Sequence, residues 1–163
     1  MELKVEVRRS TALAAAFALL GIALTVSVAT PARADRCDDI ATLLKNQIDG
    51  LKIGITAANI IHLSHPLAKE LSLGCASRNF TNELYAMAEG RKPKPEFVSL
   101  VASAAALVFT LPKDDTLTGA TRCIKRMGLL RGDNVKMRFR RLDMECTRTK
   151  TEAAIAITRG KDE

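Results

Sequence analysis

A chain of 163 residues has room for one ordinary domain, and 47% hydrophobic with 26% charged residues excludes collagen-like and intrinsically disordered readings. Six aromatic residues, five Phe and one Tyr without Trp, leave little material for a site of stacked rings. The formal charge of +7 favours anionic partners through long-range attraction but names none.

The first segment has the three parts of a secretory signal. Lys4, Arg8 and Arg9 form a cationic start, Ser10 to Pro31 is uncharged and rich in Ala, Leu and Val, and Ala32-Arg33-Ala34 follows. Cleavage is expected after Ala34, so residues 1–34 are a secretory signal peptide and 35–163 a single exported domain in a periplasmic or secreted setting. Three other uses compete. An uncleaved anchor wants about 20 apolar residues, whereas Ala12 to Val28 supplies 17 and includes Thr25 and Ser27. A lipoprotein needs Cys as its first mature residue, and Cys37 comes two positions late. Arg8-Arg9 suits twin-arginine export, but Thr11-Ala12 replaces the bulky apolar residue usual downstream. Removing residues 1–34 takes away four basic and two acidic side chains, so 21 basic against 16 acidic leaves +5 on 129 residues.

Beyond the leader, Asp38 and Asp39 precede Ile40, Leu43, Leu44 and Ile48, which predicts an amphipathic helix with acid at its positive end, stopped at Asp49-Gly50. From Leu51 the period changes to two. Ile53, Ile55, Ala57, Asn59, Ile61 and Leu63 share one parity, which predicts a strand, with a helix through Ala57-Ala58 as the alternative. Ser64-His65-Pro66-Leu67 is the expected turn, and Leu71, Leu73 and Cys75 the returning strand of a hairpin. Asn79 to Ala88 fits both periods and is expected to be a short helix or irregular strand closed by Gly90.

Arg91-Lys92-Pro93-Lys94-Pro95 reads as a solvated loop rather than an anion-binding patch. Phe97 to Leu111 holds fifteen uncharged residues between Pro95 and Pro112, too few to span a bilayer comfortably, so a buried helix is expected. Ser99, Ser103, Ala106 and Thr110 form a small-residue stripe that would admit a close neighbour. Asp114, Asp115 or Thr116 is expected to cap a further helix over residues 117–127 that stops at Gly128. Arg131-Gly132-Asp133 matches an adhesion tripeptide, for which a turn is sufficient cause.

Asn134 to Thr147 is the clearest strand signal. Val135, Met137 and Phe139 alternate on one parity, then Leu142, Met144 and Cys146 on the other, which predicts a bulge at Arg140-Arg141. Ala153, Ile155 and Ile157 supply the answering strand after a turn near Arg148-Thr149-Lys150. Lys136, Arg138 and one of Arg140 or Arg141 then make the outer face of this C-terminal hairpin the candidate contact for an anion or partner, against simple solvation as the alternative.

Cys37, Cys75, Cys123 and Cys146 all lie past the expected cut, and an even count in an exported chain reads as two disulfides. Three connectivities are open, and short loops favour Cys37 with Cys75 and Cys123 with Cys146. No CxxC, CxxCH or paired zinc spacing exists. His62 and His65, the only histidines, lack the placed carboxylates that a metal site would add. Neither GxSxG, a Ser/Lys pair in SxxK spacing, a phosphate loop nor a dinucleotide fingerprint is present. Asp38-Asp39 and Asp114-Asp115 suit helix starts better than a glycosidase pair across a cleft.

The expected fold is therefore α+β, an antiparallel sheet of hairpins with helices packed on one face and two disulfides as staples. The expected function is non-catalytic binding or accessory work without cofactor or metal, toward an anionic envelope lipid, polysaccharide or acidic protein. Nucleic acid is disfavoured for want of a basic and aromatic face. The competing readings are a small envelope hydrolase with His62 or His65 as base, and a structural protein tethered by an uncleaved leader.

Overall fold

Alternating apolar residues over 52–74, 83–89 and 134–159 resolve into one sheet. The computed structural model describes residues 33–160 apart from 78–80 and 129–131. The expected leader, except for Arg33 and Ala34, and Arg131 of the tripeptide therefore lie outside the described residues. The order is α1 (Arg33–Gln47), β1 (Lys52–Ala57), β2 (Ile60–His65), β3 (Ala68–Gly74), β4 (Glu83–Glu89), α2 (Pro95–Phe109), α3 (Lys113–Arg126), β5 (Asn134–Phe139), β6 (Leu142–Arg148) and β7 (Glu152–Arg159). All seven strands pair antiparallel in the spatial order β1-β2-β3-β4-β7-β6-β5. After β4 the chain forms α2 and α3, re-enters at the far edge as β5, and meanders back until β7 closes against β4.

Register carries apolar rows straight across the sheet. Ile61, Leu73, Leu84, Ile157 and Met144 stand opposite one another in turn, and Leu63, Leu71, Ala86, Ile155, Cys146 and Val135 form the next row. Every one of these side chains is buried. The helices join the same core through Leu44 of α1, Phe97, Val101 and Ala105 of α2, and Ala120 and Cys123 of α3. One face of the sheet is thus helix-covered, as the alternation predicts. Each disulfide fastens one helix to it. Cys37 of α1 joins Cys75, just past β3, with Cα atoms 5.6 Å apart, and Cys123 of α3 joins Cys146 of β6 at 5.9 Å. This is the pairing that loop length favours.

Several boundaries depart from expectation for identifiable reasons. The stretch from Leu51 to Leu63 is two strands, because Ala58 and Asn59 adopt φ +48° and +66° and turn the chain in two residues. Asn59 secures this turn by donating from Nδ2 to the Cys75 carbonyl at 2.8 Å. The expected bulge at Arg140-Arg141 is likewise a two-residue turn, with Arg140 at φ +55°, so Asn134 to Thr147 is a hairpin rather than one bent strand. Of the two alternatives for Asn79 to Ala88, residues 83–89 take the strand, while Asn79 and Phe80 lie outside the described residues: β4 is paired on both sides, and that tertiary pairing settles an ambiguous local period.

The helices shift as well. α1 starts at Arg33, placing Asp38 and Asp39 beyond the first turn, and it buries Cys37, Ala41 and Leu44, with Ile48 buried just past its end, while leaving Leu43 exposed. α3 starts with Pro112 at its N-cap, so Asp114, Asp115 and Thr116 lie inside the helix rather than capping it. The Thr116 hydroxyl is buried 2.8 Å from the carbonyl of Ala102 in α2. That contact, not the half-exposed Ser99–Ser103–Ala106 stripe, marks the close approach of α2 and α3.

Candidate functional site

The face of the sheet away from the helices has its own register. His62, Ser72, Tyr85, Ala156, Glu145 and Lys136 follow one another across the strands, and Gly74, Glu83, Thr158, Asp143 and Arg138 form a neighbouring row. Small residues in the middle and charged ones toward β5 leave an open groove of about 570 Å³ bounded by Glu83, Lys136, Arg138, Asp143, Glu145 and Thr158.

The candidate cations do not stand alone on this face. Lys136 Nζ is 3.0 Å from Glu145 Oε2 and Arg138 Nε is 3.8 Å from Asp143 Oδ1, both directly across the β5–β6 ladder. Asn134 adds a hydrogen bond from Nδ2 to Glu145 Oε1 at 3.1 Å. The hydrogen bonds from Lys136 and Asn134 hold the Glu145 carboxyl below the usual carboxylate range. Arg140 turns to the helix side, where its Nη2 lies 3.1 Å from Asp115 of α3. Arg141 is exposed at the turn and has no carboxylate partner among the described residues. The hairpin therefore presents an ordered ladder of alternating charge more than a bare cationic patch.

Further cations come from α3, which the sequence reading had not assigned to the site. Arg122 and Arg126, one helical turn apart, reach over the inward-facing side chains of β5. The Arg122 guanidinium carbon sits 5.4 Å from the Phe139 ring centroid, and Arg126 Nη1 is 4.0 Å from Met137 Sδ. Phe139 and Met137 thus support guanidinium groups instead of being sealed under the helix. These two cations border the helix side of the β5 edge, as Lys136 and Arg138 border the other side, and Lys125 lies between them in α3, also exposed. The i, i+3, i+4 spacing of Arg122, Lys125 and Arg126 was visible as helix pattern, but its adjacency to the hairpin was not.

The two histidines sit at the opposite end of the sheet. His65 has both ring nitrogens engaged: Nδ1 accepts from the Leu67 N–H at 3.1 Å, and Nε2 lies 3.0 Å from the Asp49 carbonyl oxygen. Those two partners fit only the tautomer with hydrogen on Nε2, so the ring fastens the β2–β3 turn to the end of α1. His62 is exposed beside Ser72, and neither imidazole is hydrogen-bonded to a Ser or Asp side chain among the described residues. No group of three or more His, Cys, Asp or Glu side chains is placed to hold a metal ion among the described residues. Elsewhere, Lys69 pairs with Glu152, and burial pushes the Tyr85 hydroxyl upward, helped by the carboxylates of Glu70 and Glu152. Asp133, the acidic member of the tripeptide, is engaged by Arg91 at 3.2 Å.

Fold and disulfides together define an α+β protein with a helix-covered, seven-stranded antiparallel sheet. No protein family, curated protein or solved structure matches the chain. No helix among the described residues is long and apolar enough to cross a membrane.

Proposed function

We propose that the protein is an exported, non-catalytic binding or accessory protein that meets an anionic envelope component or acidic protein at its β5 margin. One observation carries this reading: Arg122 and Arg126 over β5, exposed Lys125 between them on α3 and Arg141 at the hairpin turn have no carboxylate partners among the described residues, while every acidic side chain on the hairpin's ladder already faces a cation. The two disulfides support export, because oxidising compartments form and keep them. An acidic partner would add to the margin without first displacing an internal ion pair at the α3 cations. A hydrolase reading through His65 would have to free an imidazole whose nitrogens are both in use.

The test is retention on envelope fractions at low salt. Arg122→Glu with Arg126→Glu should lower retention several-fold, raised salt should weaken it for the parent protein, and charge reversal at Lys136, Arg138 and Arg140 should reduce it. Arg36→Glu with Lys45→Glu alters net charge equally on α1, beside β1 rather than β5, and should leave retention largely intact. Equal retention by the α3 variant and the parent would overturn the proposal. Intact mass of the exported protein should begin at Asp35 and show no alkylatable thiol before reduction.

A further inference from the structure

The opposite edge of the sheet has a different chemistry. Ile53 and Ile55 of β1, Ile60 of β2, Leu67 in the next turn and Leu43 on α1 are the exposed large hydrophobic residues among those described. Four of the five fall within residues 53–67, and all six residues of β1 are exposed. Ile55 is 73% exposed, and Ile53 and Ile60 are each 39% exposed. From Gly50 to Lys69 the chain has no carboxylate; its charged side chains there are Lys52 and Lys69, with His62 and His65 beside them.

Two backbone features narrow what such an edge contacts. Opposite β2, the register slips between Ile53 and Thr56, so the outermost strand is bulged. A bulge interrupts the even row of N–H and C=O groups that a second strand would need, which disfavours strand addition by another copy of the chain. Gly54 sits at that bulge, where a Cβ would lie 3.1 Å from the His62 carbonyl oxygen, a tighter approach than side-chain carbons usually make. At the tip, Ala58 holds φ +48°, a left-handed conformation that Gly or Asn adopts with less strain. The tip is thus Ala57-Ala58-Asn59 between Thr56 and Ile60, small and uncharged throughout.

We infer that the β1–β2 hairpin is a membrane-surface contact, its apolar edge seated in the interfacial layer of a bilayer bearing anionic phospholipid. Ile53, Ile55 and Ile60 supply the apolar contact and Lys52 the charge complement to the headgroups. Depth is limited to the headgroup boundary, because the unpaired backbone groups of β1 need water or headgroup partners and find none in hydrocarbon. This site lies at the other edge of the sheet from the β5 margin, so it stands or falls separately from that reading.

The chain contains no Trp, so a single introduced Trp reports one location. Ile55→Trp and, at the start of α2, Lys94→Trp are made in the full chain and mixed with vesicles of phosphatidylglycerol or of phosphatidylcholine. The emission of Ile55→Trp should move to the blue with phosphatidylglycerol while that of Lys94→Trp stays fixed. Adding Lys52→Gln should raise the lipid needed for half the shift about fivefold, and phosphatidylcholine should require far more lipid still. No shift at Ile55→Trp, equal shifts at both positions, or equal response to the two lipids would overturn the inference. A shift that follows protein concentration without lipid would assign the edge to a second copy and overturn it too. A shift at Lys94→Trp alone would overturn it as well.

Discussion

Replacing each disulfide by a pair of alanines tests the claim that the helices are held to the sheet by sulfur. Cys37–Cys75 spans a sequence separation of 38 and Cys123–Cys146 one of 23. Loop-closure entropy then predicts losses of about 3.9 and about 3.4 kcal/mol on opening them. A domain of this size commonly has about 5–15 kcal/mol in total, so either loss is a large fraction. The second bridge should cost more than its loop length alone implies. Cys123 and Cys146 are both fully buried between α3 and the sheet, and alanines there leave a void of roughly two sulfur atoms. Cys37→Ala/Cys75→Ala and Cys123→Ala/Cys146→Ala should therefore both be strongly destabilised, the latter at least as much as the former. Urea unfolding followed by far-ultraviolet circular dichroism measures the two losses under identical buffer. The reasoning fails if either double variant unfolds within about 1 kcal/mol of the parent, or if the parent shows the same midpoint with and without reductant.

Two further outcomes follow from close contacts. At Gly119 of α3 a Cβ would lie 2.7 Å from Met144 Cε and 2.9 Å from Phe139 Cδ1; the roughly 1 kcal/mol of helix propensity gained by Gly119→Ala should be outweighed by crowding of about 1–3 kcal/mol. Gly119→Ala should thus lower the melting temperature and Gly119→Val lower it further, whereas a rise for the alanine variant would show that the helix does not pack so closely. Because Glu145 is held below its ordinary value of 4.5 mainly by Lys136 and then by Asn134, its contribution is present above that value and lost as pH falls through the lowered one. Lys136→Met with Asn134→Leu should bring the Glu145 titration back up toward 4.5, read from its side-chain carboxyl carbon by NMR, and an unmoved midpoint would refute the cross-strand pairing.

The fold class and the staples were legible because they depend on quantities written locally: apolar alternation, proline boundaries and cysteine spacing. Residues 97–111 between two prolines could scarcely be anything but a buried helix, and α2 occupies nearly that range. The hairpin at Ala58-Asn59 was hidden by a cancellation. The bulge between Ile53 and Thr56 shifts side-chain parity by one, and the two-residue turn shifts it back, so odd positions from Ile53 to Leu63 look like one uninterrupted strand. The usual turn pair, Asn or Asp followed by Gly, is absent there as well. At Arg140-Arg141 the same kind of turn has no compensating bulge, so parity visibly breaks; only its cause was misread. β4 was ambiguous for a different reason, since its strand character comes from β3 and β7, which lie on either side in space but not in sequence.

The same misreading explains why the candidate surface changed character. A bent single strand sets Lys136, Arg138 and Arg140 along one solvent face with nothing acidic opposite. A turn at Arg140-Arg141 instead fixes register, and that register places Glu145 across from Lys136 and Asp143 across from Arg138. Their alternating charges then guard β5 against strand addition, while the net cationic surplus passes to α3, where Phe139 and Met137 support Arg122 and Arg126. At the other edge, β1 is guarded by its bulge, and this leaves its side chains free to be apolar. One sheet therefore ends in two unlike margins, and a whole-chain charge of +7 describes neither.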